Sequence, residues 1–321
     1  MSATHEPQRV GQLSKALRRC QLEVALEQQH VDAVLRRRHG LAYAPRMSAP
    51  DSDLPPPEGR IRVRVEGRSC VITIDRPAKY NGFTPEMLAQ LAAAYTRLEH
   101  DDELWCGVLE AEGPHFTAGL ELSRFDITAP LDANLAANLA EGKPADIDPL
   151  DMRAPRRTKP IVAAVHGICF TIGIELMLAA DVVVAEQGTR FSQLEVKRGL
   201  MAYGGASIRM VERAGWGNAM RWLLTGDEFD ADTALRLGFV QELVEVGEAR
   251  ARARAIATRI AEQAPLAVRE SRRSAQLALE QGPEAAIAAF PEQLRMLAAS
   301  EDFAEGVRSF VERRAGRYSG R

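Results

Sequence analysis

Short apolar segments that alternate with helical segments constrain the fold of this chain more than any other feature. Residues 61–66 alternate apolar and charged side chains with a period of two, and residues 69–74 continue the strand pattern after a turn at Gly67. Residues 85–98 have helical composition, with Thr84 before them as an N-cap. Further buried strands are predicted over residues 105–111, 161–165 and 181–185. This alternation predicts an α/β protein in which helices cover a sheet.

The two ends of the chain differ from this central part. Residues 1–57 combine a segment of helical composition with the proline-rich linker MSAPDSDLPPP, so we interpret them as a helical or disordered extension. A start of synthesis at Met47 stays open as an alternative. We expect residues 58–246 to form the α/β core, with a short strand at residues 239–243, and residues 247–321 to be helical. The helices predicted there span residues 248–262, 265–280, 283–296 and 301–314.

Charge and residue usage argue against several classes of function. The formal net charge is -3, and the sequence has no strongly basic stripe that would indicate nucleic-acid binding. No apolar run reaches the roughly 20 residues that a membrane-spanning helix needs. The four cysteines form no C-x-x-C pair and the six histidines no H-E-x-x-H motif, so we predict neither a metal site nor disulfides. We therefore expect a cytoplasmic protein with no nucleic-acid or membrane partner.

Four stretches of the chain carry motifs whose order and spacing are informative. They read IDRPAKYNGF from Ile74, GPHFTAGLEL from Gly113, KPIVAAVHGICFTIGIELMLAAD from Lys159 and FSQLEV from Phe191. Together they resemble the enoyl-CoA hydratase/isomerase (crotonase) superfamily, from about Ile61 to the C-terminus. The resemblance implies a crotonase-like spiral of ββα units with a helical C-terminal oligomerisation region that forms a homotrimer or a dimer of trimers. It also implies an acyl-coenzyme A substrate and no separate cofactor, because coenzyme A is part of the substrate.

Acyl-CoA chemistry needs hydrogen-bond donors for the enolate oxygen that develops on the thioester. Fixed backbone N–H groups supply them, and loss of one donor typically costs about 10²–10³ in rate. The resemblance places the two donors of this oxyanion hole on Leu120 and on Ile172, at the start of a helix whose N-terminus is partly positive. Thr171 and Ile172 depart from a run that is glycine-rich in the family. A backbone N–H survives such replacements, so we expect a narrower acyl pocket rather than a lost donor.

Glu175 and Glu195 occupy the two positions at which hydratases of this family keep glutamates. Adding water across a double bond needs a base that orients the water and an acid that protonates the α carbon. Two carboxyl groups in one site push their proton affinities apart, so that one is ionised while the other is neutral. We assign Glu175 as the base and Glu195 as the acid, and shared or reversed roles stay open here. The alternative is that both are surface glutamates or salt-bridge partners.

Coenzyme A carries a pyrophosphate and a 3′-phosphate, which cationic side chains bind. In the family, an aromatic residue and basic residues of the last helix help to cover coenzyme A, often on a neighbouring subunit. A solvated basic helix end is an equally good interpretation of those basic residues. The resulting candidates for contacts with coenzyme A or the acyl group are Lys79, Thr117, Ala118, Gly119, Gly173, Phe310, Arg313 and Arg314.

Several functions are compatible with this resemblance. We predict hydration of a 2-enoyl-CoA, with isomerisation, thioester hydrolysis and C–C cleavage as alternatives that share the fold. A catalytically degenerate CoA-binding protein is a further alternative, motivated by the replaced glycine run. We interpret His166 as a structural histidine, Cys169 as packing and Asp181 as a structural aspartate, and we expect Trp216 and Trp222 to pack in the core. The long segment at residues 126–157 has no clear period, so we expect a loop that borders the acyl pocket.

Overall fold

Three units of two strands and a helix form the central part of the molecule. The computed structural model describes residues 58–125 and 145–321, so the predicted N-terminal extension and much of the predicted acyl-pocket loop lie outside the described residues. The strands are β1 (Arg60–Glu66), β2 (Ser69–Asp75), β3 (Cys106–Ala111), β4 (Ile161–Val165), β5 (Ile168–Phe170), β6 (Val182–Glu186), β7 (Arg190–Ser192), β8 (Phe229–Asp230) and β9 (Glu242–Val244). The helices are α1 (Pro85–His100), α2 (Ile172–Ala179), α3 (Ala206–Ala214), α4 (Trp216–Leu223), α5 (Ala231–Arg236), α6 (Ala249–Ala261), α7 (Pro265–Gln281), α8 (Pro283–Ala298) and α9 (Glu301–Glu312).

The strands form a large sheet and a small one. The large sheet has the order β1-β2-β3-β4-β6-β9, in which β1 and β2 are antiparallel and the other neighbours are parallel. The small sheet has the order β5-β7-β8. Each of the units β1-β2-α1, β4-β5-α2 and β6-β7-α3 follows the predicted ββα pattern along the chain. Short 3₁₀ turns at Pro77–Lys79, Leu122–Arg124 and Glu195–Arg198 complete the core.

The inner strands β2, β3 and β4 of the large sheet are buried on both faces, and most of their residues are apolar. All seven residues of β2 are buried, and alternate side chains face two different hydrophobic clusters. One cluster includes Ile72, whereas Val71 packs into the other. That second cluster is closed by α6, whose alanines at 249, 253 and 257 form a narrow stripe at a spacing of four residues. Small side chains on this stripe let the helix lie close to the sheet.

Helix α2 is buried on every side and is held at its C-terminal end by two arginines. All eight of its residues are buried, in agreement with its apolar sequence. The carbonyl groups at the end of a helix have no partner inside the helix. Arg157 donates to the carbonyl oxygen of Ala179, and Arg213 donates to that of Leu178 at 2.7 Å. These cations also complement the negative end of the helix dipole.

The C-terminal helices agree with the sequence prediction in number and nearly in bounds, and two details differ. The strand predicted at residues 239–243 begins later, at Glu242, because Phe239 and Val240 turn into the core as part of the preceding connection. The prediction that Trp216 packs in the core was wrong: Trp216 opens α4 at its outer end and is 72% exposed. Trp222 packs on Phe229 with ring centroids 5.0 Å apart. None of the described helices is long and apolar enough to cross a membrane.

Candidate active site

The start of α2 lies beside a second backbone segment, residues 117–120. Thr117 and Cys169 form a parallel bridge. The Thr117 amide donates to the carbonyl oxygen of Ile168, and the Phe170 amide donates to that of Thr117, both at 3.0 Å. The Thr117 hydroxyl is fully buried and donates to the carbonyl oxygen of Asn81 at 2.7 Å. The two segments are therefore held side by side by hydrogen bonds just before Leu120 and Ile172.

The amides of Leu120 and Ile172 lie on these adjacent segments, and neither donates to a group within residues 58–125 or 145–321. The close approach continues beyond the bridge, since a Cβ atom on Gly119 would lie 2.3 Å from Oγ1 of Thr171. Gly119 therefore has to be glycine, which its φ of 115° also favours. The structure thus brings the two predicted oxyanion donors to neighbouring backbone positions and leaves both without an internal acceptor.

Thr171 precedes α2 in a conformation that glycine adopts more easily. Its φ is 50° and its ψ is -116°, a combination that typically costs a residue with a Cβ about 1–3 kcal/mol. Its Oγ1 is buried and has no hydrogen-bond partner among the described residues. Gly173 is the one glycine that remains in the run of residues 171–173, and it is needed there for a different reason. A Cβ there would lie 2.6 Å from Cγ2 of Thr117 and 3.2 Å from Sγ of Cys169.

Glu175 lies in the first turn of α2 and is only 5% exposed. Its Oε1 accepts a hydrogen bond from the Gly204 amide at 2.6 Å. Burial raises the pKa of Glu175, and hydrogen bonds from the backbone at Gly204 and Ala206, with the charge of Arg209, act in the opposite direction. The interpretation of Glu175 as a surface glutamate is therefore wrong. A carboxyl group held this way can accept a proton from a bound water molecule.

Glu195 begins the short turn that follows β7, and its pKa is raised to about 7 by burial and by the nearby charge of Glu175. The side chain of Gln193 is buried, and in the amide orientation that satisfies its hydrogen bonding, with oxygen and nitrogen exchanged, its nitrogen donates to both carboxylate oxygens of Glu195 at 3.0 Å. The Thr171 amide donates to the carbonyl oxygen of Ser192 at 2.9 Å, which ties the start of α2 to the strand before Glu195. The two glutamates therefore belong to one polar site, in which Glu175 is buried and Glu195 is half-buried.

Three residues of this site were missed in the sequence analysis. A Cβ on Gly204 would lie 2.4 Å from Oε2 of Glu175, so this glycine leaves room for the carboxylate. Burial, Glu175 and Glu195 all raise the pKa of Tyr203, which places its hydroxyl within electrostatic reach of both acids. Gln193 stands two residues before Glu195 in the sequence, and the intervening Leu194 has a helical conformation. That spacing was the one available signal.

The residues expected to contact coenzyme A occupy different environments. Lys79 is exposed at the end of the 3₁₀ turn Pro77–Lys79. Phe310 is 85% exposed, and Arg313 ends α9 in a left-handed conformation. Arg314 forms ion pairs with Glu305 and Glu312, both at 2.5 Å. The Ala118 backbone amide donates to the carbonyl oxygen of Tyr80 at 2.9 Å.

The residues interpreted as structural make contacts of that kind. His166 is buried, and its Nε2 lies 2.9 Å from the carbonyl oxygen of Gly113, a geometry in which a ring N–H donates. Burial lowers the pKa of His166. Cys169 is fully buried, and burial raises its pKa. Asp181 pairs with Arg157 at 2.6 Å and accepts from the Ile161 amide at 2.7 Å. Within the described part of the chain, no group of three His, Cys, Asp or Glu side chains is arranged to hold a metal ion.

Units of two strands and a helix thus carry two adjacent backbone amides beside two neighbouring glutamates. The sequence profile of the enoyl-CoA hydratase/isomerase family matches residues 65–321. The chain belongs to the enoyl-CoA hydratase/isomerase family and is an enzyme of that family.

Individual relatives agree with this assignment. The enoyl-CoA hydratase EchA19 of Mycobacterium tuberculosis is 31% identical over 260 residues, which cover 81% of this chain and 96% of that protein. A 2,3-dehydroadipyl-CoA hydratase of Escherichia coli is 28% identical over 254 residues, covering 79% and 96%. A crystal structure of a probable enoyl-CoA hydratase/isomerase from Mycobacterium abscessus superimposes with a TM-score of 0.74 at 45% identity, over 81% of this chain and 98% of that one. The predicted crotonase-like fold is thereby confirmed.

Proposed function

We propose that this protein hydrates a 2-enoyl-CoA thioester. The observation that carries the proposal is the pair of neighbouring glutamates, one buried and one half-buried, in which burial and the charge of Glu175 raise the pKa of Glu195 to about 7. A carboxyl group with this pKa is partly protonated near neutral pH and can serve as an acid. Its partner, Glu175, is fixed by backbone donors and can serve as the base. Two acids of unlike protonation state are what an addition of water needs.

In the proposed reaction, Glu175 accepts a proton from water while the hydroxide oxygen bonds to the β carbon. The electron pair of the double bond moves onto the thioester oxygen as an enolate, where the amides of Leu120 and Ile172 stabilise it. Glu195 then protonates the α carbon, so that H and OH have been added across the double bond. Neither amide has an acceptor among the residues that the structure describes, which supports this assignment. Coenzyme A enters as part of the substrate, and the step needs no other cofactor.

The proposal also covers the oligomeric state, the residues that contact coenzyme A and the cellular compartment. The exposed apolar side chains of α8 and α9, Phe290, Leu294, Phe303, Val307 and Phe310, support a homotrimer or a dimer of trimers. In such an assembly, Phe310 and Arg313 are proposed to cover coenzyme A bound to a neighbour. Lys79, Thr117, Ala118, Gly119 and Gly173 are proposed contacts within one subunit. The buried free thiols of Cys70, Cys106 and Cys169 support a reducing compartment, and the cytoplasm is our prediction.

The test is turnover of crotonyl-CoA, followed by the loss of absorbance of the enoyl thioester. We expect Glu175→Gln and Glu195→Gln each to lower kcat by about 10²–10⁴, the usual contribution of a general acid or base. Glu186→Gln is the matched control, because Glu186 lies at the end of β6 outside the site. The glutamine variants should bind crotonyl-CoA and unfold as the native protein does.

Undiminished hydration by the double variant Glu175→Gln/Glu195→Gln would contradict the proposed mechanism. Conversion of a 3-enoyl-CoA, release of free thiol or cleavage of the acyl chain, each without hydration, would instead support the alternative reactions. One relative of this chain is a 2,3-dehydroadipyl-CoA hydratase, and others carry different substrate names. A panel of enoyl-CoA thioesters that differ in length, branching and terminal carboxylate will therefore define the acyl group.

A further inference from the structure

Arg209 joins the helix beside the catalytic glutamate to the segment that follows the long loop. It lies in α3, and its Nη2 donates to the carbonyl oxygens of Leu150 at 2.8 Å and Asp151 at 3.2 Å. The segment is further fixed because Asp151 pairs with Arg272 of α7 at 2.9 Å. One guanidinium group therefore fastens a connection between two distant parts of the chain.

The same guanidinium group lies directly beneath the turn that anchors Glu175. The Gly204 amide holds the carboxylate of Glu175, and a Cβ on the next residue, Gly205, would lie 2.4 Å from Nη1 of Arg209. Nη1 is buried and has no hydrogen-bond partner among the described residues. Its positive charge is therefore poorly screened by solvent. A cation in this position stabilises the ionised form of Glu175.

The charges around this pair are few. Glu175 faces Arg209 from α3, the carboxyl group of Glu195 from the turn after β7 and the hydroxyl of Tyr203 from the preceding loop. The charged groups that act on Arg209 include Asp151, Arg156, Arg157 and Glu212, and Arg213 lies close enough on the same helix to interact with it. Burial opposes the ionisation of Glu175, whereas the backbone donors at Gly204 and Ala206 and the charge of Arg209 favour it.

We propose that Arg209 is a positioning residue for the general base, which holds the Leu150–Asp151 backbone against the Gly204–Gly205 turn. The assignment of Glu175 as a base rests on the proposed hydration, but the contacts of Arg209 do not. Loss of the guanidinium group should both loosen the turn and favour protonated Glu175.

Arg213 provides a matched control one helical turn further along α3. It is likewise a largely buried arginine whose Nη2 donates to backbone carbonyls, those of Leu178 and Ala180. Its Nη1 also lacks a partner among the described residues. It grips the C-terminal end of α2, however, and not the Gly204 turn. Arg213→Met should therefore lower the melting temperature without changing the protonation of Glu175.

The experiment measures the titration of Glu175 directly by infrared difference spectroscopy, comparing each protein with the same protein carrying Glu175→Gln. Arg209→Met should move the titration of Glu175 to higher pH, and kcat at pH 6 should fall on the order of threefold more than kcat at pH 9. Arg209→Lys keeps the positive charge but loses the guanidinium group that donates to both carbonyl oxygens. In this variant the titration of Glu175 should stay near the native one while KM rises.

An unchanged titration in Arg209→Met, or an equal shift in Arg213→Met, would overturn the proposal. If Arg209→Met does not fold, Arg209→Lys decides, because an unaltered KM there removes the positioning role. The infrared readout also distinguishes a failure of the role of Arg209 from a failure of the proposed hydration. A shifted titration in a protein that hydrates no enoyl-CoA would leave the role of Arg209 standing and reject the proposed function.

Discussion

Replacing Gly204 by alanine should displace the carboxylate of Glu175 without any strain in the backbone. A methyl group at this position would lie 2.4 Å from Oε2 and 2.7 Å from Cδ of Glu175. The carboxylate has to retreat by about 1 Å before the contact becomes an ordinary van der Waals one. Misplacement of a reacting group by about 1 Å can cost about 10² in rate, or about 2.7 kcal/mol in activation free energy.

Stability should fall as well, by about 1–3 kcal/mol, which is typical for an extra methyl group in a packed interior. Gly217→Ala is the control, because Gly217 lies inside α4 with no atom within 4 Å of the added methyl group. An exposed glycine inside a helix costs about 0.5–1 kcal/mol relative to alanine, so this variant should be slightly more stable.

The assay is kcat for crotonyl-CoA hydration, with thermal unfolding measured on the same samples. We expect a loss of about 10² in kcat for Gly204→Ala and none for Gly217→Ala. A kcat within threefold of the native value, in a Gly204→Ala protein that is as stable as the native one, would refute the reasoning. It would mean that Glu175 adjusts freely and that its position is not set by this glycine.

Two further substitutions test the surroundings of the site. Gln193→Leu removes both hydrogen bonds to the Glu195 carboxylate, so the pKa of Glu195 should rise from about 7 to a higher value. Because Glu195 then stays protonated to higher pH, the alkaline limb of the pH–rate profile should move to higher pH. An unmoved limb would count against the contact. Thr171→Gly relieves the strain of a φ of 50° and removes a buried hydroxyl that has no partner among the described residues. The strain of about 1–3 kcal/mol exceeds the roughly 0.4–1 kcal/mol that the greater freedom of the unfolded chain costs. The melting temperature should therefore rise, and a fall would show that the turn is not strained.

The fold could be predicted from the sequence where local patterns decide the structure. The apolar runs at β2 and β4 and the N-cap Thr84, whose Oγ1 accepts from the Met87 amide at 3.2 Å, are readable because each depends on neighbouring residues. Trp216 shows the limit of this approach, since spacing along a helix does not reveal where the core ends.

The site was predictable only in part, and for a similar reason. The motifs pointed to Glu175 and Glu195 themselves, yet not to the groups that control them. Gly204 and Arg209 act on Glu175 from 29 and 34 positions further along the chain, and only the packing of α3 against α2 brings them together. Such contacts depend on tertiary structure, and composition or periodicity carries no trace of them.

The pairing of residues 117–120 with the start of α2 has a consequence for how this enzyme can change over evolutionary time. In the proposed oxyanion hole, main-chain atoms supply both donors, and contacts of Thr117, Gly119 and Gly173 fix the spacing of the two segments, so the side chains of Leu120 and Ile172 are free to vary. Mutations at these two positions can reshape the space for the acyl group while the thioester oxygen keeps its binding partners. New substrate ranges can thus arise here by exchanging side chains, with no need to rebuild the chemistry.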